Sequence, residues 1–514
     1  MSPLKILQWN CRGLRTNLPE LQQMLTSQEI SVACLQETKI NKDQPVRGFS
    51  GYHSYSCGQD GLQGGTSIYI KENTIHREIQ LNTPLQATAV RISLATVLTI
   101  CSIYLPPSTP ISLPHLNQLI LQLPKPFLLL GDFNGHNPLW GSPGLNPRGK
   151  QIEKFLTDSD LFLYNDNSPT YIHPATGTPT HLDLSVAEPS LSTNFTWSVL
   201  DSLSGSDHFP IILSSNLPET TSHPEHWKFP KANWKAFNEG CNASLTEDKI
   251  DTIDTFQNTL LEIANTTIPK TSAVPRKDKP WFNEKCHKAL ENREEAYKNL
   301  IKTPTLETLT KFRQLKAQAR KTFREQKRLS WKNYTSKITP QTPISKIWKM
   351  IRKIKGKDTP SGIKQLIKPD NTVAETEEDI ANLLATNFAS NSSQNNYTEK
   401  FKKHKINTEK TPVNFNTNEE IEYNTPFSIN ELSTCLHMLG DTSPGPDQIH
   451  NQILKNLPKN SQKCLLKLLN NIWTTNTFPE PWHTAKIIPI PKANKNHNHP
   501  TNYRPIALIA ASAK

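Results

Sequence analysis

The sequence lacks the clustered cysteines of a zinc module. Its eight cysteines are scattered over 514 residues, with no Cys-x-x-Cys pair and no Cys/His cluster at zinc-ligand spacing. Several lie within apolar runs, as Cys34 does in residues 30–35 and Cys101 in residues 97–105. Such positions are typical of reduced thiols in the core of an intracellular protein, and we expect the same here.

Long hydrophobic runs are also missing. No apolar segment reaches the roughly 18 residues that span a bilayer. Met1 leads directly into a strand-like segment, and not into the basic and then apolar leader of a secreted protein. We therefore expect a protein that is not secreted and has no membrane partner. The sequence does not indicate an oligomeric state.

Apolar residues are scarce overall. Hydrophobic residues make up 35% of the chain, there are 40 prolines, and the mean hydropathy is −0.57. This composition favours some linker or loosely ordered sequence, and the length predicts two or three structural units. The net charge of +12 says nothing about the fold, but it favours polyanionic partners, nucleic acid first.

Residues 1–214 differ from the rest of the chain in their strand content. Short apolar strands alternate with turns and a few helices, which predicts an α/β fold in which two sheets pack face to face with helices outside. The predicted strands cover residues 4–9, 30–35, 66–70, 98–105, 127–130, 182–187 and 209–213, and helical spacing occurs at residues 18–25 and 151–156.

The remainder divides into three predicted segments. Residues 215–279 begin with a polar, proline-rich stretch and are interpreted as a linker. Residues 280–420 form a basic, mainly helical connecting region, although residues 391–420 have the polar composition of a loop. Residues 421–514 form the last segment. Its amphipathic helical patterns cover residues 428–439 and 461–473.

Polar residues suited to phosphodiester hydrolysis stand at the ends of the predicted strands. That reaction needs a hard cation to screen the phosphate, a group that deprotonates water, and donors for the extra negative charge. Magnesium prefers carboxylate and amide oxygens. Strand ends in stacked sheets cluster at one edge, so these residues can converge despite their separation in sequence. The candidates are Asn10, Glu37, Tyr104, Asp132, Asn134, Asp183, Asp207 and His208.

Each of these residues alone is most simply a turn or surface residue, but their motifs occur together and in order. The chain contains Asn-x-Arg-Gly-Leu, Gln-Glu-Thr, Ile-Tyr-x-Pro-Pro, Gly-Asp-Phe-Asn, x-Leu-Asp-Leu and Ser-Asp-His. With these motifs, residues 1–214 resemble the endonuclease/exonuclease/phosphatase superfamily, and most closely the apurinic-like endonuclease domains of Jockey-like non-LTR retrotransposons. The resemblance implies a four-layer α/β sandwich and a divalent metal, usually Mg²⁺, with Mn²⁺ as an alternative.

The resemblance also implies roles for residues of these motifs. Glu37 would be the principal metal carboxylate, with Asn10 and Asp207 close by. Asp132 would orient or deprotonate the attacking water. Asn134 would position that water and the phosphate.

The Ser-Asp-His motif and its partners would act on the phosphate itself. His208 would donate to a phosphate oxygen and would be held in orientation by Asp183. Tyr104 would contact the phosphate or steady the leaving group. Thr170 and Ser206 fall where the family has supporting hydroxyls.

The basic part of the connecting region has two interpretations. Residues 280–357 are rich in lysine and arginine, and a charge run of this kind is most often a solvated helical face. Aromatic residues interleave with the charges, as Trp331 does near Arg328, and this pattern favours nucleic-acid binding. The Pro-Trp-Phe-Asn string at its start resembles the segment joining endonuclease to polymerase in Jockey-like elements. We therefore predict DNA as the target and element RNA as a partner of this region.

Two strings near the end of the sequence resemble the opening blocks of a non-LTR reverse transcriptase. They are Ser-Pro-Gly-Pro-Asp at residues 443–447 and Asn-Tyr-Arg-Pro-Ile at residues 502–506. The resemblance places Arg504 in the fingers region that approaches the nucleotide or template. In that family the aspartates that bind the polymerase metals lie further downstream. We therefore expect residues 421–514 to be a partial reverse transcriptase fingers segment without polymerase activity.

Three functions remain in competition. The first is an endonuclease that nicks target DNA and leaves a 3′-hydroxyl to prime reverse transcription. The second is an abasic-site repair endonuclease with the same chemistry, against which the reverse-transcriptase-like segment argues. The third is a nucleic-acid-binding assembly protein with an idle nuclease site, for which the basic region argues. For the first, we expect translation in the cytoplasm and action on chromosomal DNA in the nucleus.

Overall fold

The computed structural model describes residues 3–40, 51–57, 63–72, 74–93, 97–173, 176–218, 227–270, 281–345, 347–348, 363, 365–412 and 425–513. The chain divides into two units. Unit 1 comprises Met1–Ser222 and Val274–Ile380, and unit 2 comprises His223–Ala273 and Ala381–Lys514.

The first sheet of unit 1 has six strands with a parallel pair near its middle. Its strands are β1 (Pro3–Asn10), β2 (Val32–Gln36), β3 (Tyr52–Cys57), β4 (Thr66–Lys71), β13 (Phe195–Val199) and β14 (Ile211–Pro218). Their spatial order is β13-β14-β1-β2-β4-β3, in which β1 and β2 are parallel and the other neighbours antiparallel. Because β1 and β2 are parallel, they end at the same edge of the sheet.

The second sheet of unit 1 repeats this arrangement. Its strands are β5 (Ile75–Ile79), β6 (Gln86–Ser93), β7 (Val97–Tyr104), β8 (Phe127–Asp132), β9 (Phe162–Leu163) and β12 (Asp183–Ala187). Their order is β5-β6-β7-β8-β12-β9, with β7 and β8 parallel. A small hairpin of β10 (Tyr171–Ile172) and β11 (Pro179–Thr180) lies between β9 and β12 in the chain.

The helices of the described residues are numbered here in chain order. They are α1 (Leu14–Ser27), α2 (Leu113–Leu121), α3 (Pro147–Asp158), α4 (Trp234–Ser244), α5 (Ile253–Thr267), α6 (Glu284–Lys302), α7 (Leu306–Thr335), α8 (Glu377–Asn391), α9 (Glu399–Glu409), α10 (Ile429–Met438), α11 (Asn451–Lys455) and α12 (Lys459–Thr475). Among the residues that the structure describes, no helix combines the length and the apolar character needed to cross a bilayer.

Unit 1 is a four-layer α/β sandwich. One buried cluster, which includes Ile6 of β1 and Leu130 of β8, fills the space between the two sheets. A second cluster packs α1 on the outer face of the first sheet, and a third packs α2 and α3 on the outer face of the second. Alternate residues of a strand face opposite sides, so two buried faces give the near-continuous apolar runs seen in the sequence. The structure confirms the predicted fold.

The helices α6 and α7 also belong to unit 1. Tyr297 and Leu300 of α6 and Phe312 of α7 are buried in one cluster with Leu203 and Phe209 of the preceding sandwich. Further along the chain, a small hairpin of β15 (Leu366–Ile367) and β16 (Val373–Ala374) precedes Glu375, which forms ion pairs with arginines of β5 and β6. The basic region therefore folds partly against the sandwich.

Unit 2 is mainly helical. Its buried cluster joins Phe237 of α4, Leu260 of α5, Ile453 of α11 and Leu465 of α12. An antiparallel ribbon of β17 (Lys486–Pro491) and β18 (Tyr503–Leu508) lies near its end. The amphipathic helices predicted at residues 428–439 and 461–473 are present as α10 and α12.

Within residues 1–214, the structure adds strands that the sequence interpretation did not include, among them β3, β5, β6 and β13. Downstream of residue 214, two segments differ from the sequence interpretation. Residues 215–279, interpreted as a linker, contain α4 and α5, whose buried residues recur at helical spacing within a polar background. Residues 391–420, interpreted as a loop, contain α9, which buries none of its side chains and so carries no apolar periodicity. Residues 219–226, 271–280, 349–362 and 413–424 of the predicted segments lie outside the described residues.

Candidate active site

The ends of four strands bring polar side chains together between the two sheets. In β8, Leu128 and Leu130 face the space between the sheets, and two-residue alternation puts Asp132 on the same side. Asp132 pairs in register with Tyr104 of β7 and with Asp183 of β12. By the same alternation, Asn10 ends β1 on its inward side, after Ile6 and Gln8. Strand geometry alone therefore assembles most of the predicted site.

The glycine of the Gly-Asp-Phe-Asn motif has a packing reason. A Cβ added to Gly131 would lie 2.0 Å from the carbonyl oxygen of Ile103 on the neighbouring strand. Only glycine fits this close approach of β8 to β7, which sets the position of Asp132 relative to Tyr104.

Glu37 and Asp132 are bridged by one amide. Nδ2 of the buried Asn10 donates to Oδ2 of Asp132 at 2.8 Å and to Oε1 of Glu37 at 3.2 Å. The hydroxyl of Tyr104 donates to the same Glu37 oxygen at 3.2 Å. The side chain of Asp132 is 1% exposed and that of Glu37 is 20% exposed. Glu37 is therefore the carboxylate of this pair that a solvated ligand reaches.

Asn134 is held beside Asp132 by a tight turn. Its backbone N–H donates to Oδ1 of Asp132 at 3.1 Å, and its Nδ2 donates to the carbonyl oxygen of Leu105 at 3.2 Å. Its φ of +51° lies in the left-handed region, which asparagine tolerates better than most residues. This conformation sets the direction of the amide relative to Asp132.

His208 and Asp183 form a buried pair. Nδ1 of His208 donates to Oδ2 of Asp183 at 2.8 Å, and Nε2 of His208 lies 4.0 Å from Oδ2 of Asp132. Thr170 supports the pair, because its hydroxyl oxygen accepts from the backbone N–H groups of Leu182 and Asp183, both at 3.1 Å. The carboxylate fixes the ring orientation, with Nε2 on the side of Asp132.

The electrostatics of this pair favour a charged imidazole. Burial alone would lower the pKa of His208, but the carboxylates of Asp183, Asp132 and Asp207 raise it to about 10. Burial also raises the pKa of Asp132, and the neighbouring His208 offsets part of that rise. At neutral pH the site therefore presents an imidazolium, which can donate to a phosphate oxygen.

The Ser206-Asp207-His208 segment is tied to the end of β1. The hydroxyl of Ser206 donates to the carbonyl oxygen of Asn10 at 2.7 Å, and Nε1 of Trp9 donates to that of His208 at 3.1 Å. The guanidinium of Arg12 forms an ion pair with Asp207. These bonds join segments almost 200 residues apart in the sequence.

Two sets of side chains could hold a cation. Asp132, Asp183 and His208 each offer an atom, and these atoms lie within 4.8 Å of one another. However, Nδ1 of His208 carries the proton that it donates to Asp183, so this nitrogen is not available as a metal ligand. Glu37, Asp207 and the side-chain oxygen of Asn10 offer oxygen donors only, which suits a hard divalent ion. In this structure Glu37 forms an ion pair with Lys39 at 3.4 Å and Asp207 forms one with Arg12, so a cation would compete with these two basic side chains. Glu37 is partly open to solvent, whereas the three members of the first set are buried. We regard the Glu37 set as the better fit.

Two further residues were not identified from the sequence. Tyr171 pairs with His208 in an isolated β-bridge, and their ring centroids lie 4.6 Å apart. Arg148 of α3 donates to the carbonyl oxygens of Pro106 at 2.9 Å and Thr109 at 2.5 Å, and so holds the loop after Tyr104. Neither lies in a recognisable motif, so nothing in the local sequence distinguishes them.

Basic residues of α6 and α7 also contact the loop that precedes Asp207, at residues 202–206. Arg293, which is 2% exposed, forms an ion pair with Glu20 and donates to the hydroxyl of Ser202 at 3.2 Å. Lys316 donates to the carbonyl oxygen of Ser206 at 2.6 Å, and Arg320 donates to that of Gly205. The sequence indicates the charge of this region but not these partners. The loop before Asp207 is therefore held by residues far downstream.

The other three predicted residues have exposed side chains. Arg328 and Trp331 are exposed on α7, where the Trp331 ring stacks on that of Tyr334 with centroids 6.0 Å apart. Arg504 is exposed on β18 of unit 2, paired in register with Ile490. The structure thus brings together the nine predicted residues of the site motifs and Thr170, and it leaves these three on exposed surfaces.

Comparisons with known proteins give a family match and several similar proteins. The model of the endonuclease-reverse transcriptase family matches residues 98–212. The whole chain is similar to the probable RNA-directed DNA polymerase from transposon X-element of Drosophila melanogaster, with 23% identity over 545 residues. It is also similar, over 99% of its length and with 22% identity, to the RNA-directed DNA polymerase from mobile element jockey of Drosophila melanogaster.

The chain spans less than two thirds of these relatives, 58% of the first and 57% of the second. Among solved structures, the endonuclease domain of TRAS1, a telomere-specific non-LTR retrotransposon, aligns over all of its own length and 42% of this chain. The identity is 20% and the TM-score 0.37.

Proposed function

We propose that this chain carries an endonuclease domain like that of the endonuclease-reverse transcriptase family, whose model matches residues 98–212, and that it nicks target DNA by metal-dependent phosphodiester hydrolysis. The observation that carries the proposal is the buried cluster of Asn10, Asp132, Asp183 and His208 beside the more exposed Glu37. In this cluster Asp132, which can accept a proton, lies next to His208, which can donate to a phosphate oxygen. The cut would leave a 3′-hydroxyl that primes reverse transcription.

The attacking water would be prepared by Asp132. Its carboxylate accepts a proton from the water as the oxygen attacks phosphorus, and the amide of Asn134 orients that water. The raised pKa of Asp132 makes it a better proton acceptor than an exposed carboxylate. The bond from phosphorus to the 3′-oxygen breaks, giving a 5′-phosphate and, after a proton reaches the leaving oxygen, a 3′-hydroxyl.

The phosphate would be held by the other side of the cluster. Charged His208, oriented by Asp183, donates from Nε2 to a non-bridging oxygen and stabilises the negative charge that grows in the transition state. Tyr104 lies where it can contact the phosphate or steady the leaving oxygen. A Mg²⁺ ion held by Glu37, Asn10 and Asp207, or Mn²⁺ in its place, would screen the phosphate charge.

The partners follow from this activity. Duplex DNA is the substrate, and element RNA is the expected partner of the exposed basic and aromatic part of α7, which includes Arg328 and Trp331. The protein would then act in the nucleus on chromosomal DNA. Arg504 would belong to a reverse transcriptase fingers segment.

Cleavage of two matched oligonucleotide duplexes, one intact and one with an abasic site, tests the proposal. The full chain should cut the intact duplex in Mg²⁺ or Mn²⁺ and not in EDTA. Cleavage of the abasic duplex alone would favour the repair activity instead. If neither duplex is cut in either metal, the endonuclease function is wrong, and nucleic-acid binding without cleavage is the remaining function.

A further inference from the structure

Arg12 lies at the solvent side of the candidate active site. Its guanidinium forms an ion pair with Asp207, and its side chain is 48% exposed, whereas that of Asp207 is 9% exposed. The side chain of Arg12 forms no other hydrogen bond or ion pair with the residues that the structure describes. A guanidinium carries five N–H donors, so most of those on Arg12 remain available to a ligand.

The backbone holds Arg12 in a costly conformation beside the site. Its φ of +44° lies in the left-handed region, which an arginine rarely adopts. Its N–H donates to Oδ1 of Asn10 at 3.1 Å, and the N–H of Gly13 donates to the carbonyl oxygen of Glu37 at 2.8 Å. Because residues of the site itself impose this strained conformation, we infer a function for the side chain that it directs.

The ion pair between Arg12 and Asp207 is not needed to hold the chain in place. The two hydrogen bonds described above, from Ser206 and from Trp9, already tie the segment around Asp207 to the end of β1. An ion pair in which one partner is half exposed contributes little to stability. Arg12 therefore supplies charge to the site more than it supplies rigidity.

The surroundings of Arg12 are those expected for a phosphate. Its partner Asp207 directly precedes His208, the proposed phosphate donor. The ring of Tyr171 lies against that of His208, and burial and Asp207 raise the pKa of this tyrosine to about 12, an effect that the charge of Arg12 partly offsets. A phosphate that accepts a hydrogen bond from His208 would thus lie close to the guanidinium of Arg12.

Arg12 and a metal ion would compete for the same carboxylate. An ion held by Glu37, Asn10 and Asp207 repels the guanidinium and draws on the charge of Asp207, so the ion pair with Arg12 weakens when the ion binds. A DNA phosphate brings new negative charge to the same place. The planar fork of a guanidinium binds phosphate oxygens in pairs, which makes phosphate a suitable second partner.

We propose that Arg12 is a phosphate-binding residue of the endonuclease, which exchanges Asp207 for the phosphate of the bond that is cut. The proposal rests on the endonuclease function proposed above. Asp207 holds the guanidinium before metal and DNA bind, and the phosphate holds it afterwards. Removing the guanidinium should therefore weaken DNA binding and strengthen metal binding. A residue that only supports the fold would not shift these two affinities in opposite directions.

The affinity for DNA is measured without cleavage. Full chains that carry Asp132→Asn, which should cut slowly, are titrated with a fluorescent duplex in Mn²⁺ at several salt concentrations. Adding Arg12→Gln should weaken binding about tenfold near 0.1 M salt. The slope of log affinity against log salt should become shallower, because one phosphate contact is lost.

The affinity for metal is measured without DNA. Electron paramagnetic resonance counts the free Mn²⁺ ions in a titration of the same full chains. Arg12→Gln should bind Mn²⁺ about two- to fivefold more tightly, because Asp207 no longer has a competing partner and an ion pair this exposed is worth no more than that.

Two control variants separate the exchange from a general loss of charge. Lys321→Gln removes an exposed lysine of α7 and should leave both affinities within about twofold of the parent chain. Arg12→Lys keeps the charge but not the planar fork, so it should keep the competition with metal and recover only part of the DNA affinity. Thermal unfolding checks that each variant folds as the parent chain does.

Three results would overturn the proposal or the function on which it rests. If Arg12→Gln strengthens Mn²⁺ binding and leaves DNA binding unchanged, Arg12 is only the counter-ion of Asp207 and the phosphate assignment is wrong. If Mn²⁺ affinity does not rise, the exchange is disproved, whatever the DNA affinity does. If the wild type cuts no DNA in Mg²⁺ or Mn²⁺, the endonuclease function fails, independently of how the Arg12 variants bind.

Discussion

Lys316 and Ser206, 110 residues apart in the sequence, are joined by a hydrogen bond of 2.6 Å from the lysine ammonium to the serine carbonyl. Ser206 directly precedes Asp207 and His208, and its hydroxyl donates to the end of β1. Nearby, Gly205 has a φ of +85°, and a Cβ there would lie 2.5 Å from a carboxylate oxygen of Glu20. The loop is thus fixed between β1, α1 and α7, and its geometry depends on all three.

Removing the Lys316 contact should slow catalysis more than it weakens binding. In Lys316→Met the loop loses its bond to α7, and a shift of His208 by a fraction of an ångström is costly in a site that depends on position. We expect kcat for nicking to fall about tenfold with KM within about twofold. Steady-state kinetics on a duplex substrate measure both constants. Lys321→Gln, which removes an exposed lysine of α7, is the control. An equal loss of kcat in this control, or a change in KM alone in Lys316→Met, would contradict a positioning role for Lys316.

Breaking the Arg293–Glu20 ion pair should destabilise unit 1. Both side chains are buried, so Arg293→Met leaves an uncompensated carboxylate and should cost about 3–5 kcal/mol of unfolding free energy. Hydrogen exchange of the β1 and β14 amides reports the stability of unit 1 separately from that of unit 2.

A second variant identifies the cause of that loss. Glu20→Gln/Arg293→Met removes both charges and should recover more than half of the lost stability, because no buried charge is left unpaired. If the double variant is as unstable as Arg293→Met, packing of the arginine stem accounts for the effect, and the ion pair does not.

The pKa of His208 predicts the alkaline limit of activity. Because its pKa is raised to about 10, the imidazolium persists through neutral pH, and activity that needs it should fall only as the pH approaches that value. Asp183 is the group that raises the pKa of His208 most. Asp183→Asn should therefore lower this pKa and move the alkaline limit of activity to lower pH. A pH profile of kcat/KM for the wild type and the variant measures the shift, and coincident alkaline limbs would exclude His208 as the donor.

The same pKa has a consequence for stability, whose sign follows from linkage. A histidine with a pKa above its ordinary value of 6.5 binds protons more tightly in the folded state. Its stabilising contribution is complete below about pH 6.5 and is lost as the pH rises towards 10. Asp183→Asn should therefore lose less stability than the wild type over this interval.

The strand ends of the site could be predicted from the sequence because their signals are local. An apolar run followed by Asp, Asn or Glu marks the end of a buried strand, and two-residue alternation then decides which of these residues face inward. The strands β3, β5 and β13 lack that signal, because they are sheet edges with exposed residues on one side.

The tertiary contacts of α6 and α7 could not be predicted in the same way. Lys316, Arg320 and Arg293 belong to a charge run that is indistinguishable in sequence from a solvated face, and their partners lie 91 to 303 residues away. Tyr171 is likewise identified only by its contact with His208. Residues that act through distant backbone groups leave no local pattern, whereas residues at strand ends do.

The most direct test of the endonuclease function is nicking of supercoiled plasmid by the full chain in Mg²⁺, with Asp132→Asn as the matched variant. We expect the wild type to produce open circles that a DNA polymerase extends without prior phosphatase treatment. We expect the variant to be at least about 10²-fold slower, since the proposed proton acceptor is lost. Equal nicking by the variant, or nicks that cannot be extended, would contradict this function.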